Sequence, residues 1–447
     1  MPTHEPREPQ ENPARPAARR RVRRAAVGAA LLLAATVPAA GAVPAHGGGN
    51  APAAVTARPA RAELPAPTGP YAVGTAALHL TDRSRRDPWR PDRVRELMVS
   101  FWYPAVGGTG GDGVAPHMEP GAAAHFGSAD GMGAQNYGVP PGSTDWAATR
   151  SHARPRARVL PGGARPVVLY SSGIGDPRTW NTGLVEELAS RGYVVVTLDH
   201  TYEASEVLLP GGRLATSVLP GLMDRPDRDI RVLTRTAMKA RVDDTRFVLD
   251  RLDELRKGRS KVARSLPRGL TDALDPKRIG MAGQSSGGFT AAQAMHDDPR
   301  IAAGINMDGQ MHFPTTADGQ GTALGTAARD GLDRPFLLIG SSAEVANNRP
   351  SWEAFARNTR GWHRQVTLRN TAHSAFTDAA PLLPQLARQG AVPEDVVRDT
   401  IGTLPPDRAV AATRAYVTSF FDHWLRGRDD HLLDGPSARF PEAVRVR

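Results

Sequence analysis

The stretch "RIGMAGQSSGGFTAAQAM", Arg278 to Met295, decides how this chain is read. It opens on a short apolar run of the kind that forms a buried strand, and "GGFTAAQAMHD" (287–297) follows with a helical pattern. Between them Gly283-Gln284-Ser285-Ser286-Gly287 fits G-x-S-x-G. The glycines allow a turn sharp enough to lift a serine hydroxyl clear of the strand's carboxyl end, over the N-terminus of the next helix. Alone, the five-residue pattern is a common coincidence. Between a strand and a helix it predicts that Ser285 is a nucleophile rather than a small residue in a tight turn.

Outward from that turn, eight segments have strand character: 73–80, 96–104, 166–172, 193–199, 278–283, 302–307, 335–340 and 365–369. The first two suit an antiparallel start. The later ones are continuous apolar runs, as expected of strands buried on both faces of a parallel sheet. Helical patterns fall between and after them at 180–192, 238–258, 287–297 and 408–427. This alternation predicts one doubly wound α/β domain. The Gly/Pro/Ala-rich segment 105–164 lacks periodicity and reads as an insertion of surface loop with some helix, part of a substrate entrance.

The N-terminus has a different character. "RRRVRR" (19–24) precedes the apolar run "AAVGAALLLAATV" and a small-residue stretch ending Ala40-Gly41-Ala42, the order of an export signal. The apolar run is shorter than the roughly 20 residues a membrane span requires. Residues 1–42 therefore read as a signal peptide, by the general or the twin-arginine route, and the mature protein as secreted. An Ala/Pro-rich flexible leader is expected over 43–67, with the catalytic domain over 68–447.

The formal net charge of +10 includes seven Arg and three Glu in residues 1–42, so cleavage would leave +6. That charge is scattered, and only four of the 56 basic residues are Lys (239, 257, 261 and 277). Without interleaved aromatics or a nucleic-acid motif, no nucleic-acid partner is expected. The absence of cysteine excludes disulfides, thiolate metal sites and a cysteine nucleophile.

A serine hydroxyl needs a base. His373, in "RNTAHSAFTD" just after the last predicted strand, is the best placed of the 13 histidines, ahead of His200, His296 and His312. The base needs a carboxylate to hold its tautomer. Asp308 follows the sixth predicted strand and Glu344 the seventh, and spacing permits either. "YSSGIG" (170–175) follows the third strand, which makes the Ile174 and Ser286 backbone N–H groups the candidate oxyanion donors.

These residues resemble the platelet-activating factor acetylhydrolase-like family of α/β-hydrolases. The likeness runs through "TGPYAVGTAALHL" (68–80), "MVSFWYP", "VVLYSSGIGDPRTWNTGLVEELASRGYVVVTLDHTYEAS" (167–205), "RVDDTRFVLDRL", the Ser285 turn, "GINMDGQMHFP" and "HSAFTD". It implies an α/β-hydrolase fold with a mostly parallel eight-stranded sheet flanked by helices. It implies the nucleophile at Ser285, the acid at Asp308 rather than Glu344, the base at His373, and oxyanion amides at Ile174 and Ser286. It implies no metal and no organic cofactor.

The expected activity is that of a serine carboxylic ester hydrolase, similar to 1-alkyl-2-acetylglycerophosphocholine esterase. Its substrates would be small-molecule or short-acyl lipid esters, met transiently at a lipid interface. Where the family often reads Ser-His-Gly and Gly-His-Ser-Phe-Gly-Gly, this chain has Ser171-Ser172-Gly173 and Gly283-Gln284-Ser285-Ser286-Gly287-Gly288. A serine in place of an aromatic beside the nucleophile predicts a more polar or roomier acyl site. A lipase- or cutinase-like hydrolase of triglycerides or polyesters would use the same machinery. The alternative outside enzymes is a secreted binding protein on a hydrolase fold.

Overall fold

Val167 to Ser171 and Val194 to Leu198 show why the central sheet forms. Alternate side chains point to opposite faces of a strand. Val167 and Leu169 join one buried apolar cluster while Val168 and Tyr170 join another. Val194, Val196 and Leu198 divide from Tyr193 and Val195 in the same way. Strands apolar on both faces need helices on both faces.

The structure, a computed structural model, describes residues 58–446. The expected signal peptide and residues 43–57 of the expected leader lie outside them.

The main sheet has ten strands: β1 (Ala72–Arg86), β2 (Val94–Ala105), β3 (Arg154–Pro155), β4 (Arg165–Ser171), β5 (Val194–Leu198), β6 (Leu274–Gln284), β7 (Ile301–Met307), β8 (Phe336–Ser341), β9 (His363–Leu368) and β10 (Ala443–Val446). Their spatial order is β10-β9-β8-β7-β6-β4-β5-β2-β1-β3. The block from β9 to β5 is parallel throughout. β2 joins β5 antiparallel, β1 joins β2 antiparallel, and β10 closes the far edge antiparallel to β9. All eight predicted strands are present. The two additions, β3 and β10, are short edge strands with little apolar pattern to mark them.

Helices α1 (Thr182–Ser190), α2 (Ile230–Arg256), α3 (Ser286–Asp297), α4 (Val345–Asn358), α5 (Ala379–Arg388) and α6 (Pro406–Arg426) surround the sheet. Buried side chains of α2, α3 and α4 fill one face and those of α1 and α6 the other. α2 starts eight residues before the predicted 238, because Asp229 caps it by accepting the Val232 N–H at 3.2 Å. α4 and α5, which no helical pattern marked in the sequence, hold Pro350 and Pro384 internally, where proline removes a backbone donor. Among the described residues no helix is long and apolar enough to cross a membrane.

Two expectations need correction. The domain begins before residue 68: Ala60 bridges Thr144, and Ala60, Ala62 and Leu64 are buried against Phe126, Leu382 and Leu386. A run too poor in apolar mass to build a core can still be laid on one. The insertion 105–164 is likewise more than surface loop. It buries Phe126, Tyr137 and Trp146 in an aromatic cluster around Trp180, with ring centroids 4.6 to 5.7 Å from that indole. Such packing contributes well beyond ordinary loop contacts.

Candidate active site

Ser285 occupies a single strained position between β6 and α3. Its φ of 56° and ψ of −125° lie where L-residues rarely go, a cost borne when the surroundings over-determine the turn. Two glycines make the surroundings close enough. A Cβ on Gly283 would lie 2.2 Å from the Gly287 carbonyl carbon, and one on Gly287 would lie 1.9 Å from the Ser171 oxygen. The Ser285 N–H donates to Met307 O at 2.8 Å, tying the turn to β7. The Ser285 hydroxyl is 7% exposed as a residue and makes no hydrogen bond with another described residue.

The next strand ends supply a carboxylate and an imidazole. Asp308, buried after β7, accepts the Ser341 N–H at 2.8 Å and the Asn348 Nδ2–H at 3.0 Å on Oδ1. Its Oδ2 accepts the Ser341 hydroxyl at 2.8 Å and lies 2.9 Å from His373 Nδ1. His373 opens a short helical turn after β9, and its carbonyl accepts Gln284 Nε2 at 3.1 Å, linking the histidine loop to the residue before Ser285. Burial lowers the His373 pKa. The hydrogen bond and charge of Asp308, with the charges of Glu344 and Asp176, outweigh that and hold it above the ordinary imidazole value.

Glu344 instead precedes α4, where it accepts Asn347 Nδ2 at 2.6 Å. His200 lies behind the β4 loop, between Asp244 and the Ser171 hydroxyl, each at 2.9 Å. His296 pairs with Asp297 and Asp330 at the end of α3, and His312 sits in a short hairpin with its pKa lowered by burial.

The loop after β4 passes directly over Ser285: a Cβ on Gly173 would lie 3.6 Å from Ser285 Cβ. The Ile174 N–H finds no acceptor among the described residues. Neither does that of Ser286, whose place in the first turn of α3 offers none within the helix. Ser171, Ser285, Asp308, Ser341 and His373 thus stand at the carboxyl ends of β4, β6, β7, β8 and β9, the edge where open α/β sheets hold their ligands.

Several residues of this site carry no motif in the sequence. Asp176 is buried beside the same loop, with Oδ2 2.8 Å from where a Gly173 Cβ would be, and Oδ1 accepts the Tyr137 hydroxyl at 2.7 Å. Burial pushes its carboxyl up to about 7, against the pull of Tyr137 and His373. The insertion delivers Tyr137, and it also sets Met132 over Gly175. Ser341 and Asn348, which orient Asp308, were equally silent. Asp378 of the "HSAFTD" segment turns out to cap α1, accepting the Thr182 and Gly183 N–H groups at 2.7 and 3.0 Å.

A hydroxyl on a strained strand-to-helix turn, an imidazole held by a buried carboxylate and two unpaired N–H groups on one sheet edge define an α/β-hydrolase. The model of the family "Platelet-activating factor acetylhydrolase, isoform II" matches residues 58–390. A probable 1-alkyl-2-acetylglycerophosphocholine esterase of Arthroderma benhamiae is 27% identical over 85% of this chain and 93% of its own. The platelet-activating factor acetylhydrolase of Cavia porcellus is 22% identical over 60% of this chain and 62% of its own. The structure of a ferulic acid esterase from Streptomyces cinnamoneus superposes with a TM-score of 0.68 at 35% identity, covering 86% of this chain and 99% of that one. The chain belongs to the platelet-activating factor acetylhydrolase family and is an ester hydrolase.

Proposed function

We propose that the protein is a secreted serine esterase of short-acyl lipid or phospholipid esters, working through Ser285, His373 and Asp308. The observation that carries this reading is the 2.9 Å contact of His373 Nδ1 with the buried Asp308, on the strand ends beside the strained Ser285. His373 Nε2 takes the Ser285 proton as Oγ attacks the ester carbonyl carbon. The carbonyl oxygen becomes an oxyanion and accepts the Ile174 and Ser286 N–H groups. Collapse expels the alcohol, which leaves with the proton from His373, and the acyl group stays on Ser285. Water, deprotonated by His373, then releases the acid and restores the serine. Asp308 keeps the Nδ1–H tautomer and stabilises the imidazolium in both halves.

Export rests on the 1–42 pattern, and transient contact with a lipid interface on the substrate class. The 35% identity to a ferulic acid esterase favours a second reading, in which the same machinery takes esters of aromatic acids. A substrate panel separates the two: a 2-acetyl glycerophosphocholine, methyl ferulate and a long-chain triglyceride, assayed with wild type and Ser285→Ala. The proposal predicts the highest kcat/KM on the acetyl ester and loss of hydrolysis in the variant. Preference for ferulate or triglyceride would reassign the substrate. Full activity in a folded Ser285→Ala would overturn the mechanism.

A further inference from the structure

The loop that lies over Ser285 is held from behind by one buried arginine. Arg241, on α2, is 1% exposed. Its Nη1 donates to Ser172 O at 2.8 Å and to the Ser171 hydroxyl at 3.2 Å, and its Nη2 donates to Gly173 O at 3.0 Å. Its Nε donates to Glu203 at 2.6 Å, and Glu203 is itself buried. One planar fork therefore grips two successive carbonyls of the loop while a buried carboxylate holds the fork in place. His200, on Asp244, fixes the Ser171 hydroxyl from the same side.

This grip fixes the direction of an N–H group. Among the described residues every peptide bond is trans, and in a trans peptide the C=O and N–H of one plane point in opposite directions. Drawing the Gly173 oxygen onto Arg241 turns the Ile174 N–H away from the guanidinium. That N–H has no acceptor among the described residues. Without the arginine, the Gly173–Ile174 plane would be free to rotate, because glycine imposes little restriction on its own ψ. We propose that Arg241 is a positioning residue for ester hydrolysis: its fork orients the Gly173–Ile174 peptide so that the Ile174 N–H faces the oxyanion formed on Ser285. The inference rests on the reading of Ile174 as an oxyanion donor. An ammonium in place of the guanidinium would keep the charge beside Glu203 but cannot hold both carbonyls in one plane.

Removing the arginine alone would strand a buried Glu203 carboxylate and threaten the fold. The test therefore uses Arg241→Lys and the double variant Arg241→Met/Glu203→Gln. Three quantities are measured: kcat and KM on an acetyl ester, affinity for an acyl trifluoromethyl ketone, and affinity for the matching unreactive ether. In the ketone adduct Ser285 Oγ bonds to the carbonyl carbon, its proton passes to His373, and the former carbonyl oxygen is the oxyanion. Loss of an oriented donor predicts kcat lower by about 10²-fold and ketone affinity lower by a similar factor. KM and ether affinity should stay within about threefold, since uniform binding is untouched.

Folded Arg241→Lys with kcat and ketone affinity within about twofold of wild type would overturn the proposal. So would a parallel fall in ether and ketone affinity, which would mark a general distortion. Ser285→Ala is assayed alongside: hydrolysis retained there would instead sink the underlying serine-esterase reading.

Discussion

Asp308 and Asp176 both sit buried beside Ser285, in the loops after β7 and β4, and the protein surrounds them differently. Asp308 meets the Ser341 N–H and hydroxyl, Asn348 and His373. Asp176 accepts Tyr137 on one oxygen, and its second oxygen has no partner among the described residues. Donors favour the charged form of a carboxyl and burial disfavours it. With a single donor, burial prevails at Asp176 and its carboxyl is pushed up to about 7. The neighbouring loops, not the distance from Ser285, decide how many donors reach each carboxyl, and at Asp176 that supply is one hydroxyl.

The largest effect should come from breaking the better-supplied side. Asp308→Asn keeps the shape but lets the His373 ring take the wrong tautomer, and kcat on an acetyl ester should fall by roughly 10³- to 10⁴-fold. An activity within tenfold of wild type would mean that another group orients His373.

The next effect is on stability. The folded pKa of Asp176 lies above its unfolded value of 3.8, so the folded state binds the extra proton. Its contribution is fully present below about pH 4 and is lost as pH rises through about 7. At about 1.4 kcal/mol per unit, the group should lower stability by roughly 3–4 kcal/mol between those limits. Urea denaturation from pH 4 to 8 should show that this part of the slope disappears in Asp176→Asn. An unchanged slope would mean that Asp176 is ionised in the fold.

The smallest effect sharpens the choice between carboxylates. Glu344 touches His373 only through its charge, which helps to raise the histidine's pKa. Glu344→Gln should leave the plateau kcat nearly unchanged and move the acid limb of kcat/KM down by a fraction of a pH unit. A loss like that of Asp308→Asn would exchange the roles of the two acids.

Much of the architecture was legible because its signals are local. Continuous apolar runs marked the parallel strands, and glycines flanking Ser285 marked the turn, whose tightness follows from their contacts with each other and with Ser171. Spacing left Asp308 and Glu344 open because both follow neighbouring strand ends, and family likeness chose between them before any geometry did. Asp176 and Arg241 lie inside stretches that carry the family likeness, yet nothing local marks a role for them: Tyr137 reaches Asp176 from the far insertion, and Arg241 meets the loop after β4 from the middle of a long helix. The packed segment at 60–64 was missed for a related reason: alanines that cannot form a core alone carry no mark of the surface they will cover.

Whether Ser285 is the nucleophile is tested by the intact mass of the purified protein after a fluorophosphonate, measured on wild type and Ser285→Ala. One adduct is expected on wild type, formed faster as His373 deprotonates with rising pH, and none on the folded variant. An unlabelled, folded wild type, or an adduct that persists in Ser285→Ala, would rule out that role for Ser285.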